Sequence, residues 1–332
     1  MAATVHRVWQ TAEVVATRQV AERVRRVELS LPMPTRVPAG SHLDLMVPLP
    51  GGEDLRSYSI VDADADGSRV ALSVQLAPAS RGGSAYLHSL QVGERIRVTQ
   101  PVQNFPLGVG APRYLLLAGG IGITALCAMA EVLRQRGVDY ELVYVGRSRP
   151  VMAYAAELAE RHPDRIRMHV DDEGTGLSVD TLLDELAADP LAQRTEVYLC
   201  GPIRLMDAIR RGWATRGLPV TNLRFETFGN SGSWEPQEFE VSIPRLGVTT
   251  TVGRDATMLE ALESAGVEMM WDCRKGECGL CQVRVLEVEG AIDHRDVFFS
   301  PDEQESGGGL CACVSRIAAE NGDRARVRID VT

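Results

Sequence analysis

Four cysteines near the C-terminus have the residue type and spacing to bind a redox-active metal centre: Cys273, Cys278, Cys281 and Cys311. The first three form a C-x4-C-x2-C run, and the fourth follows about thirty residues later. This is the plant-type spacing for a [2Fe–2S] cluster held by four thiolates. A zinc site more typically has two C-x2-C pairs, and this sequence has one. The sequence therefore favours the cluster, with zinc or unliganded thiols as the alternatives.

The residues between these cysteines also suit an iron–sulfur cluster. Gly276 and Gly279 allow the backbone to turn tightly and to direct its N–H groups towards the sulfurs. Those N–H groups, with the neighbouring Arg274 and Lys275, would offset the negative charge that thiolates and sulfides concentrate there. Cys313, two residues beyond the fourth cysteine, is interpreted as a spare thiol near the cluster. The sequence thus predicts a one-electron centre at the C-terminal end.

The composition limits the class of protein. The chain has 332 residues, 45% of them hydrophobic, and a formal net charge of −10. This length predicts two or three domains, and the acidic balance argues against nucleic acid as the main partner. The sequence has no run of about 20 apolar residues that would span a bilayer and no signal-peptide core at its N-terminus. Seven cysteines without an export signal indicate a reducing compartment, so we expect a cytoplasmic redox protein without a membrane partner.

Residues 1–108 are predicted to form an antiparallel β-barrel that binds a flavin. Short runs alternate between apolar and polar residues at the period of a strand, and prolines and glycines separate them. Several short strands with regular breaks are typical of such a barrel. The predicted strands are 24–31, 42–47, 69–76 and 94–98, with one short helix at 82–90.

Residues 109–228 have a different pattern, in which apolar strands alternate with helices. This alternation predicts a doubly wound α/β domain with a parallel sheet. Ligands of such sheets bind at the carboxyl ends of the strands. The predicted strands are 114–118, 141–145, 165–170, 197–200 and 223–226, and the predicted helices are 125–136, 151–161, 178–187 and 203–216.

The remaining residues are predicted to form a linker and a third domain. Residues 229–237 are polar and contain Gly, Ser and Pro, which indicates a linker. Residues 238–332 are rich in strand patterns around the cysteines, which fits a small β-grasp-like ferredoxin domain. Its predicted strands are 239–244, 249–252, 282–288 and 326–331, with a helix at 258–266.

One candidate binding motif lies in the predicted barrel, at Arg56-Ser57-Tyr58-Ser59. On a strand, Arg56 and Tyr58 point to one face and Ser59 to the other. A cation and an aromatic ring on the same face could hold a phosphate and a flat heterocycle. The alternative is an ordinary barrel strand with a surface arginine and a core tyrosine.

A second candidate is Arg81-Gly82-Gly83-Ser84, at the start of the short helix predicted in the barrel. Free backbone N–H groups at a helix N-terminus bind anions, and Arg81 would add positive charge. The alternative is a glycine-lined turn with a serine cap.

Two further turns lie in the predicted parallel sheet. The first contains Gly119, Gly120, Gly122 and Thr124 and joins the first strand to the first helix, although it departs from the dinucleotide fingerprint G-x-G-x-x-G. Glycines there would let a pyrophosphate approach the backbone, and Thr124 could cap the helix and donate its hydroxyl. The alternative is a structural glycine turn.

The second turn is Cys200-Gly201-Pro202, which closes a later strand of the sheet. Cys200 by itself is typical of a buried core cysteine, and its place at the carboxyl end of that strand is the one argument for a ligand site. Arg147 and Arg149 follow the second parallel strand and could bind the 2′-phosphate of NADPH, since no acidic residue stands there for a ribose hydroxyl. Solvated loop charges are the alternative.

Taken together, the three segments resemble the phthalate dioxygenase reductase family, which includes the reductase subunits of vanillate O-demethylases. The resemblance covers essentially the whole chain, in the order flavin barrel, nicotinamide domain, plant-type ferredoxin domain. By this resemblance Arg56 contacts the flavin phosphate within the R-x-Y-S motif, Tyr58 stacks on the isoalloxazine, and Ser59 lies near N5.

The other motifs match the same family in the same order. Residues 81–84 resemble its phosphate-binding turn, and residues 119–124 and 200–202 resemble its nicotinamide-dinucleotide motifs. Phe228 resembles an aromatic residue that covers the flavin. The four cysteines match the cluster ligands one for one. The resemblance thus assigns Ser59, Cys200 and Phe228 to the catalytic site.

The implied function is that of an NADH-dependent reductase component. Electrons would pass from NADH to FMN, then to the [2Fe–2S] cluster, and then to a terminal Rieske-type aromatic oxygenase or O-demethylase. Plant-type clusters lie at about −400 mV, low enough to reduce most oxygenase iron centres. The resemblance favours FMN over FAD, as does the lack of an evident adenine-stacking aromatic loop. It also favours NADH over NADPH, and we expect a monomer.

Two alternatives come from other classes of protein. A reductase for a cytochrome P450 or a soluble ferredoxin would share every motif, and only reconstitution with a partner would separate it from an oxygenase reductase. A non-enzymatic redox sensor could use the same cluster to regulate a partner, and it would show little NADH-dependent cytochrome c reduction.

Overall fold

The computed structural model describes residues 7–49, 52–77, 82–228, 232–319 and 325–331. The chain divides into two compact units. The first comprises Met1–Gly201 and Arg216–Phe225, and the second comprises Pro202–Thr215 and Glu226–Thr332. The predicted barrel and most of the predicted nicotinamide domain therefore lie in the first unit. The helix predicted at 203–216 belongs instead to the unit that contains the cysteines.

The barrel is built from six antiparallel strands that close on themselves. Neighbouring strands follow the order β4-β5-β2-β1-β6-β3, the pairing of β3 with β4 closes the barrel, and β7 lies beside β3. Alternate residues such as Val27, Leu29, Leu43 and Leu45 are fully buried in its core. The elements are β1 (Trp9–Ala21), β2 (Val24–Ser30), β3 (Ser41–Leu49), β4 (Gly52–Ala63), β5 (Arg69–Gln75), α1 (Gly83–Ser89), β6 (Arg95–Thr99) and β7 (Val102–Gln103).

The second part of the chain forms a parallel five-stranded sheet in the order β10-β9-β8-β11-β12. The first strand, β8, lies between β9 and β11, so the strand order reverses beside it. Ligands of doubly wound sheets bind at this reversal, outside the carboxyl ends of the strands. The elements are β8 (Arg113–Gly119), α2 (Ile123–Gln135), β9 (Asp139–Gly146), α3 (Ala155–Arg161), β10 (Ile166–Val170), α4 (Val179–Ala188), β11 (Thr195–Cys200), α5 (Ile203–Thr215) and β12 (Leu223–Glu226).

Tyr154 connects the barrel to this sheet within the first unit. It has a left-handed backbone, with φ 63°, at the start of α3. Its hydroxyl lies 2.5 Å from Ser73 Oγ and accepts from Arg26 of the barrel at 3.5 Å. Helix α2 also packs against β4, the strand that contains the flavin motif. These contacts fix the barrel motif relative to the parallel sheet.

The cysteine-rich domain has a mixed sheet in the order β14-β13-β19-β15-β17, in which β13 and β19 are parallel. Helix α6 packs beside this sheet and begins with a capping box in which Thr257 and Glu260 bond to each other's backbone N–H. The elements are β13 (Phe239–Ile243), β14 (Val248–Val252), α6 (Met258–Ser264), β15 (Gln282–Glu289), β16 (Ala291–Asp293), α7 (Pro301–Ser306), β17 (Gly309–Cys311), β18 (Arg316–Ala318) and β19 (Ala325–Asp330).

The predicted fold class is confirmed: an antiparallel barrel, a doubly wound parallel sheet and a β-grasp-like ferredoxin domain. The long strand β1 and the short elements β16, α7, β17 and β18 were not predicted. Strand β1 contains irregularities after Val14 and after Gln19, which break the alternation that a sequence pattern detects. Among the described residues, no helix is both long and apolar enough to cross a bilayer.

Candidate functional site

The flavin motif lies on β4, opposite β3. Tyr58 pairs with Leu43, so it shares a face with the apolar barrel residues, and its ring packs against the core. Burial raises the pKa of Tyr58 to about 12, so the phenol is neutral at pH 7. Arg56 is on the same face and donates to Asp54 Oδ2 at 2.5 Å. The predicted placement of a cation and an aromatic ring on one face is therefore found in the structure.

The glycine turn before α1 lies directly against this arginine. A Cβ added at Gly83 would be 3.0 Å from both Cγ and Nε of Arg56, so a larger residue would compete with the guanidinium for space. Gly82 has φ 93°, which favours glycine. Ser84 Oγ accepts from the backbone N–H of Ala77 at 3.1 Å. This arrangement of a guanidinium beside a glycine backbone fits a phosphate, whereas Arg81 lies outside the described residues.

A buried polar network lies on the other face of β4 and was not predicted. Ser57 donates to Asp44 Oδ1 at 2.5 Å, and His42 Nε2 lies 3.4 Å from the same oxygen. Arg7 pairs with the second oxygen of Asp44 at 3.2 Å. Ser59 is opposite His42 in the strand register. The signal was present in the sequence, because His42 and Asp44 alternate onto one face of a strand that is otherwise apolar.

Asp44 should make the barrel sensitive to acid. Burial alone would raise the pKa of Asp44, but hydrogen bonds from His42 and Ser57 and the nearby charges lower it below its ordinary value. The stability that it contributes is therefore present above the ordinary pKa and is lost as pH falls through the lowered one. We expect Asp44→Asn to destabilise the barrel at pH 7 by about 1–3 kcal/mol and to flatten the acid side of the stability profile.

Thermal release of flavin, followed by its fluorescence between pH 7 and pH 4, measures this effect. The matched control is Asp64→Asn, since Asp64 is an exposed carboxylate of the same barrel. If the temperature of flavin release depended on pH in the same way in Asp44→Asn and in the wild type, the prediction would be contradicted.

The two predicted nicotinamide turns meet where the strand order reverses. Cys200 at the end of β11 pairs with Ala118 at the end of β8. A Cβ added at Gly122 would lie 2.1 Å from the carbonyl oxygen of Cys200 and 2.9 Å from the nitrogen of Gly201, so the two turns are in backbone contact. This close approach forms a glycine-lined edge where a pyrophosphate could reach backbone N–H groups.

Some details of these turns differ from the sequence expectation. Helix α2 begins at Ile123 and has no side-chain cap, so the predicted capping by Thr124 is wrong. The Thr124 hydroxyl instead donates to Ile121 O at 2.9 Å, because Thr124 already lies inside the first turn of the helix. The side chain of Cys200 is fully buried. Pro202 begins the second unit, and its carbonyl accepts from Leu205 at 2.9 Å.

The two arginines after β9 differ in their environment. Arg149 forms a two-point ion pair with Glu173, at 2.8 and 3.0 Å. Arg147 is exposed, and within the described ranges no ion pair is recorded for its side chain. Arg147 is therefore the more available of the two for an anion. Phe228 is half-buried and belongs to the second unit, so its predicted role at the flavin remains a prediction.

The cysteine loop has the backbone shape that a cluster requires. Arg274, Gly276 and Gly279 all have positive φ, at 51°, 76° and 73°. The turned backbone directs the N–H groups of Lys275 and Glu277 at Cys273 Sγ, at 3.3 and 3.4 Å. Such N–H donors stabilise thiolate sulfur, as the sequence predicted.

The thiols form two groups, which suits a centre with two metal atoms. Cys273 is hydrogen-bonded to Cys278, and Cys281 to both Cys311 and Cys313. Hydrogen bonds donated by Cys311 and then Cys313 lower the pKa of Cys281, which favours the thiolate that binds iron. Among the described residues, no three or more His, Cys, Asp or Glu side chains are placed to hold a single metal ion. The division of the thiols into two groups fits a [2Fe–2S] centre, which holds two irons.

Side chains around the loop hold it in place. The guanidinium of Arg274 lies 3.8 Å from the centroid of the Trp271 ring and 3.5 Å from Glu263. Lys275 forms an ion pair with the buried Glu226 at 3.5 Å. Both cations that were predicted to offset the cluster charge therefore have carboxylate partners. The backbone N–H groups must therefore offset more of the negative charge of the cluster.

Comparison with known proteins gives a consistent result along the whole chain. Three family models match: an oxidoreductase FAD-binding domain at residues 11–106, an oxidoreductase NAD-binding domain at 116–211, and a 2Fe-2S iron-sulfur cluster binding domain at 241–318. The toluene-4-sulfonate monooxygenase system reductase subunit of Comamonas testosteroni is 38% identical, over 91% of this chain and 94% of the relative.

The solved structures that are similar over 97% of this chain include a dioxygenase reductase and a cytochrome P450 monooxygenase. Phthalate dioxygenase reductase, described as a modular structure for electron transfer from pyridine nucleotides to [2Fe–2S], has a TM-score of 0.70 and 28% identity, and 98% of its chain is covered. A type IV self-sufficient cytochrome P450 monooxygenase has a TM-score of 0.64 and 33% identity. The present chain spans 41% of that longer protein.

Proposed function

Because this chain belongs to the phthalate dioxygenase reductase family, we propose that it passes electrons from NADH through FMN and a [2Fe–2S] cluster to a terminal Rieske-type oxygenase or O-demethylase. It is an NAD(P)H-dependent flavin and iron–sulfur oxidoreductase, the reductase component of an oxygenase system. The observation that carries the proposal is that one chain combines Arg56 beside the glycine turn, a glycine-lined switch point at Gly122 and two groups of cysteine thiols.

The cofactors supply the redox chemistry, since a nicotinamide gives two electrons together, a cluster takes one at a time, and a flavin can do both. The protein positions them. Arg56 and the N–H groups at Gly82 and Gly83 would hold the flavin phosphate, and by the family resemblance Tyr58 would stack on the ring and Ser59 would lie near its reacting edge. No side chain is needed as a general acid or base.

The nicotinamide coenzyme binds at the switch point of the parallel sheet. Gly119, Gly120 and Gly122 accept its pyrophosphate, helped by the turn 200–202. The Thr124 hydroxyl stabilises the turn through Ile121. The family resemblance assigns Cys200 to the nicotinamide site and Phe228 to the flavin. Cys273, Cys278 and Cys281 supply three cluster ligands, and the spacing assigns Cys311 as the fourth.

The flavin is FMN rather than FAD. The family resemblance supports this choice, and Arg56 beside the glycine turn could contact the FMN phosphate. Acid extraction followed by chromatography should release FMN in about equimolar amount to the protein. Release of FAD would overturn this part of the proposal.

The coenzyme is NADH, and Arg147 is a weak site for the extra phosphate of NADPH. Arg149 is already neutralised by Glu173, so only Arg147 can meet that phosphate. We expect Arg147→Ala to change kcat/KM for NADH by less than about twofold and to lower kcat/KM for NADPH about tenfold, as for one charge-assisted contact. Glu173→Gln, which frees Arg149, should improve the use of NADPH. Wild-type kinetics that favour NADPH would contradict the proposal.

The acceptor is a separate protein, and the reductase acts as a cytoplasmic monomer. Its acidic charge of −10 suits a transient complex steered by electrostatics and weakened by salt. A P450 acceptor is the second candidate, supported by the similarity to the reductase part of a self-sufficient P450. Reconstitution with each class of acceptor separates the two, because only the true partner should turn over its substrate with NADH.

The test of the proposed function is an anaerobic titration with NADH, followed by absorbance and EPR. Bleaching of the flavin together with a rhombic signal from a reduced [2Fe–2S] centre would support the whole electron path. Flavin bleaching without that signal would contradict the assignment of the cysteines to a [2Fe–2S] cluster. If neither NADH nor NADPH changed the spectrum, the reductase function would be wrong and a redox sensor would be favoured. Rapid cytochrome c reduction would exclude the sensor.

A further inference from the structure

A buried acid–base pair lies beside the cysteine loop, in the segment between β16 and α7. It consists of His294 and Asp296, whose side chains are 11% and 0% exposed. His294 Nδ1 lies 3.4 Å from Asp296 Oδ1. Buried ionisable side chains are uncommon in a small domain, and neither residue is among the cluster ligands. The contacts of this pair show what it can do.

The carboxylate of Asp296 is held by donors on both of its oxygens. The Ser315 hydroxyl donates to Oδ1 at 2.9 Å, and the backbone N–H of Phe299 donates to Oδ2 at 3.1 Å. Burial alone would raise the pKa of Asp296, but the hydrogen bond from His294 and these other donors lower it below its ordinary value. Asp296 is therefore a fixed negative charge at pH 7.

The second ring nitrogen of His294 has no partner. Nε2 is buried and, within the part of the chain that the structure describes, it makes no hydrogen bond. Because Asp296 accepts from Nδ1–H, the neutral ring has its lone pair on Nε2. A buried nitrogen without a partner is rare in folded proteins and calls for a physical reason. Nε2 is the atom at which this ring would bind a second proton.

The segment that contains the pair packs directly against the tip of the cysteine loop. The backbone N–H groups of Val297 and Phe298 both donate to the carbonyl of Gly276, at 3.0 and 3.2 Å. A Cβ added at Gly276 would lie 2.8 Å from Cα of Asp296, so no side chain separates the two backbones. A charge that arrives within the cysteine loop would therefore act on the pair over a short, poorly screened distance.

The nearby charges make a second proton on His294 favourable. Asp207 of α5 interacts electrostatically with both His294 and Asp296, and burial raises the pKa of Asp207. Arg210 lies 3.5 Å from Asp207, so two carboxylates share one buried cation. The charged and titratable groups around the pair come from three neighbouring elements: Asp207, Arg210 and Arg211 of α5, Glu303 of α7, and Cys311 of β17.

From this arrangement we propose that His294 binds a proton at Nε2 when the cluster gains an electron, so that the reduction potential of the cluster depends on pH. The electron comes from the flavin and the proton from solvent, and one N–H bond forms. Both leave again when the acceptor takes the electron. The inference rests on the proposed function in that it needs the cluster.

The sign of the pH dependence follows from electrostatics. An electron on the cluster adds negative charge beside the pair and so favours the imidazolium form of His294. Between pH 5 and pH 8, where histidine changes its charge, the potential should fall as pH rises. The limit is a tenfold change in the reduction equilibrium per pH unit, about 59 mV for one electron. In more alkaline solution the ring is neutral in both redox states, and the potential should become constant.

The experiment measures the cluster potential of the full-length protein between about pH 5 and pH 9. Anaerobic titrations with redox mediators and dithionite are followed by the EPR signal of the cluster, which does not depend on NADH. The wild-type potential should fall with pH. His294→Gln keeps an N–H donor for Asp296 but binds no proton, so its potential should stay at the alkaline value of the wild type. The matched control is His169→Gln on β10, in the other structural unit, which should behave as the wild type.

Asp207→Asn provides a second, independent variant. It removes one of the two carboxylates that attract the imidazolium, so the pH-dependent region should move to lower pH with its slope unchanged. A purely structural role for His294 would not predict this displacement. If the pH-dependent region stayed where it is in the wild type, Asp207 would not act on His294 and the proposed arrangement of charges would be wrong.

The remaining outcomes also decide the matter. A wild-type potential that is constant with pH would overturn the inference, as would a slope that persists in His294→Gln or disappears in His169→Gln. Iron, acid-labile sulfide and flavin contents show whether each variant is folded, and His294→Asn repeats the comparison if His294→Gln is not. A wild-type protein without a [2Fe–2S] cluster would overturn the proposed function itself, whereas a cluster with a constant potential would overturn this inference alone.

Discussion

Replacing Cys281 with serine should abolish the [2Fe–2S] cluster and leave the flavin reducible by NADH. Cys281 is hydrogen-bonded to both Cys311 and Cys313, and these hydrogen bonds favour its thiolate form. Serine has a much less acidic hydroxyl and cannot replace that sulfur. We expect cytochrome c reduction with NADH to fall at least about 100-fold, since the cluster that would pass single electrons from the flavin to cytochrome c is then missing.

Ferricyanide, which accepts electrons from the flavin directly, provides the contrast. Its NADH-dependent reduction should stay within about twofold of the wild type, because the barrel and the parallel sheet lie in the other structural unit. The matched control is Cys127→Ser. A Cys281→Ser protein that keeps both the cluster spectrum and cytochrome c reduction would show that the cysteine loop does not bind the cluster.

The second large effect is expected for Gly122→Ala. Gly122 has an ordinary helical backbone, with φ −58°, so alanine introduces no backbone strain. The new Cβ would, however, lie 2.1 Å from the carbonyl oxygen of Cys200, far inside a normal contact of about 3.5 Å. The turns after β8 and β11 would have to separate by about 1 Å. Such a displacement of a binding site costs about 100-fold in kcat/KM, which NADH–ferricyanide kinetics measure.

Gly253→Ala is the matched control for this change. Gly253 has no atom within 4 Å of its added Cβ, so alanine there should leave kcat/KM unchanged. Full flavin and iron contents in Gly122→Ala would confirm that the loss is local to the nicotinamide site. Wild-type kinetics in that variant would mean that the coenzyme does not depend on the contact between the two turns.

Local patterns in the sequence were sufficient for the fold class and for the outline of the site. The alternation in 42–47 and the apolar strands of the parallel sheet depend on side chains near one another in the chain, and both were predicted correctly. The R-x-Y-S motif and the glycine turn at 82–83 were identified separately, but only the folded barrel shows that Arg56 lies across Gly83.

The features that were missed depend on contacts between distant residues. Nothing near Lys275 or Arg149 in the sequence indicates that Glu226 or Glu173 neutralises it. The sequence can show that a residue type is present, but which partner it meets is determined by the tertiary structure.

The position of helix α5 limits where the domains of such reductases can be exchanged. In the chain it stands between β11 and β12, yet Arg210 donates to the carbonyl of Phe299 at 2.5 Å and Arg204 bonds to the carbonyl of Ser233. A ferredoxin fragment cut free at the linker would lose this helix and leave its contacts open to water. In a chimaera joined at the linker, helix α5 and the cluster domain would come from different parent proteins. The transferable module is therefore discontinuous, and a crossover that preserves it must carry residues 202–215 together with residues 226–332.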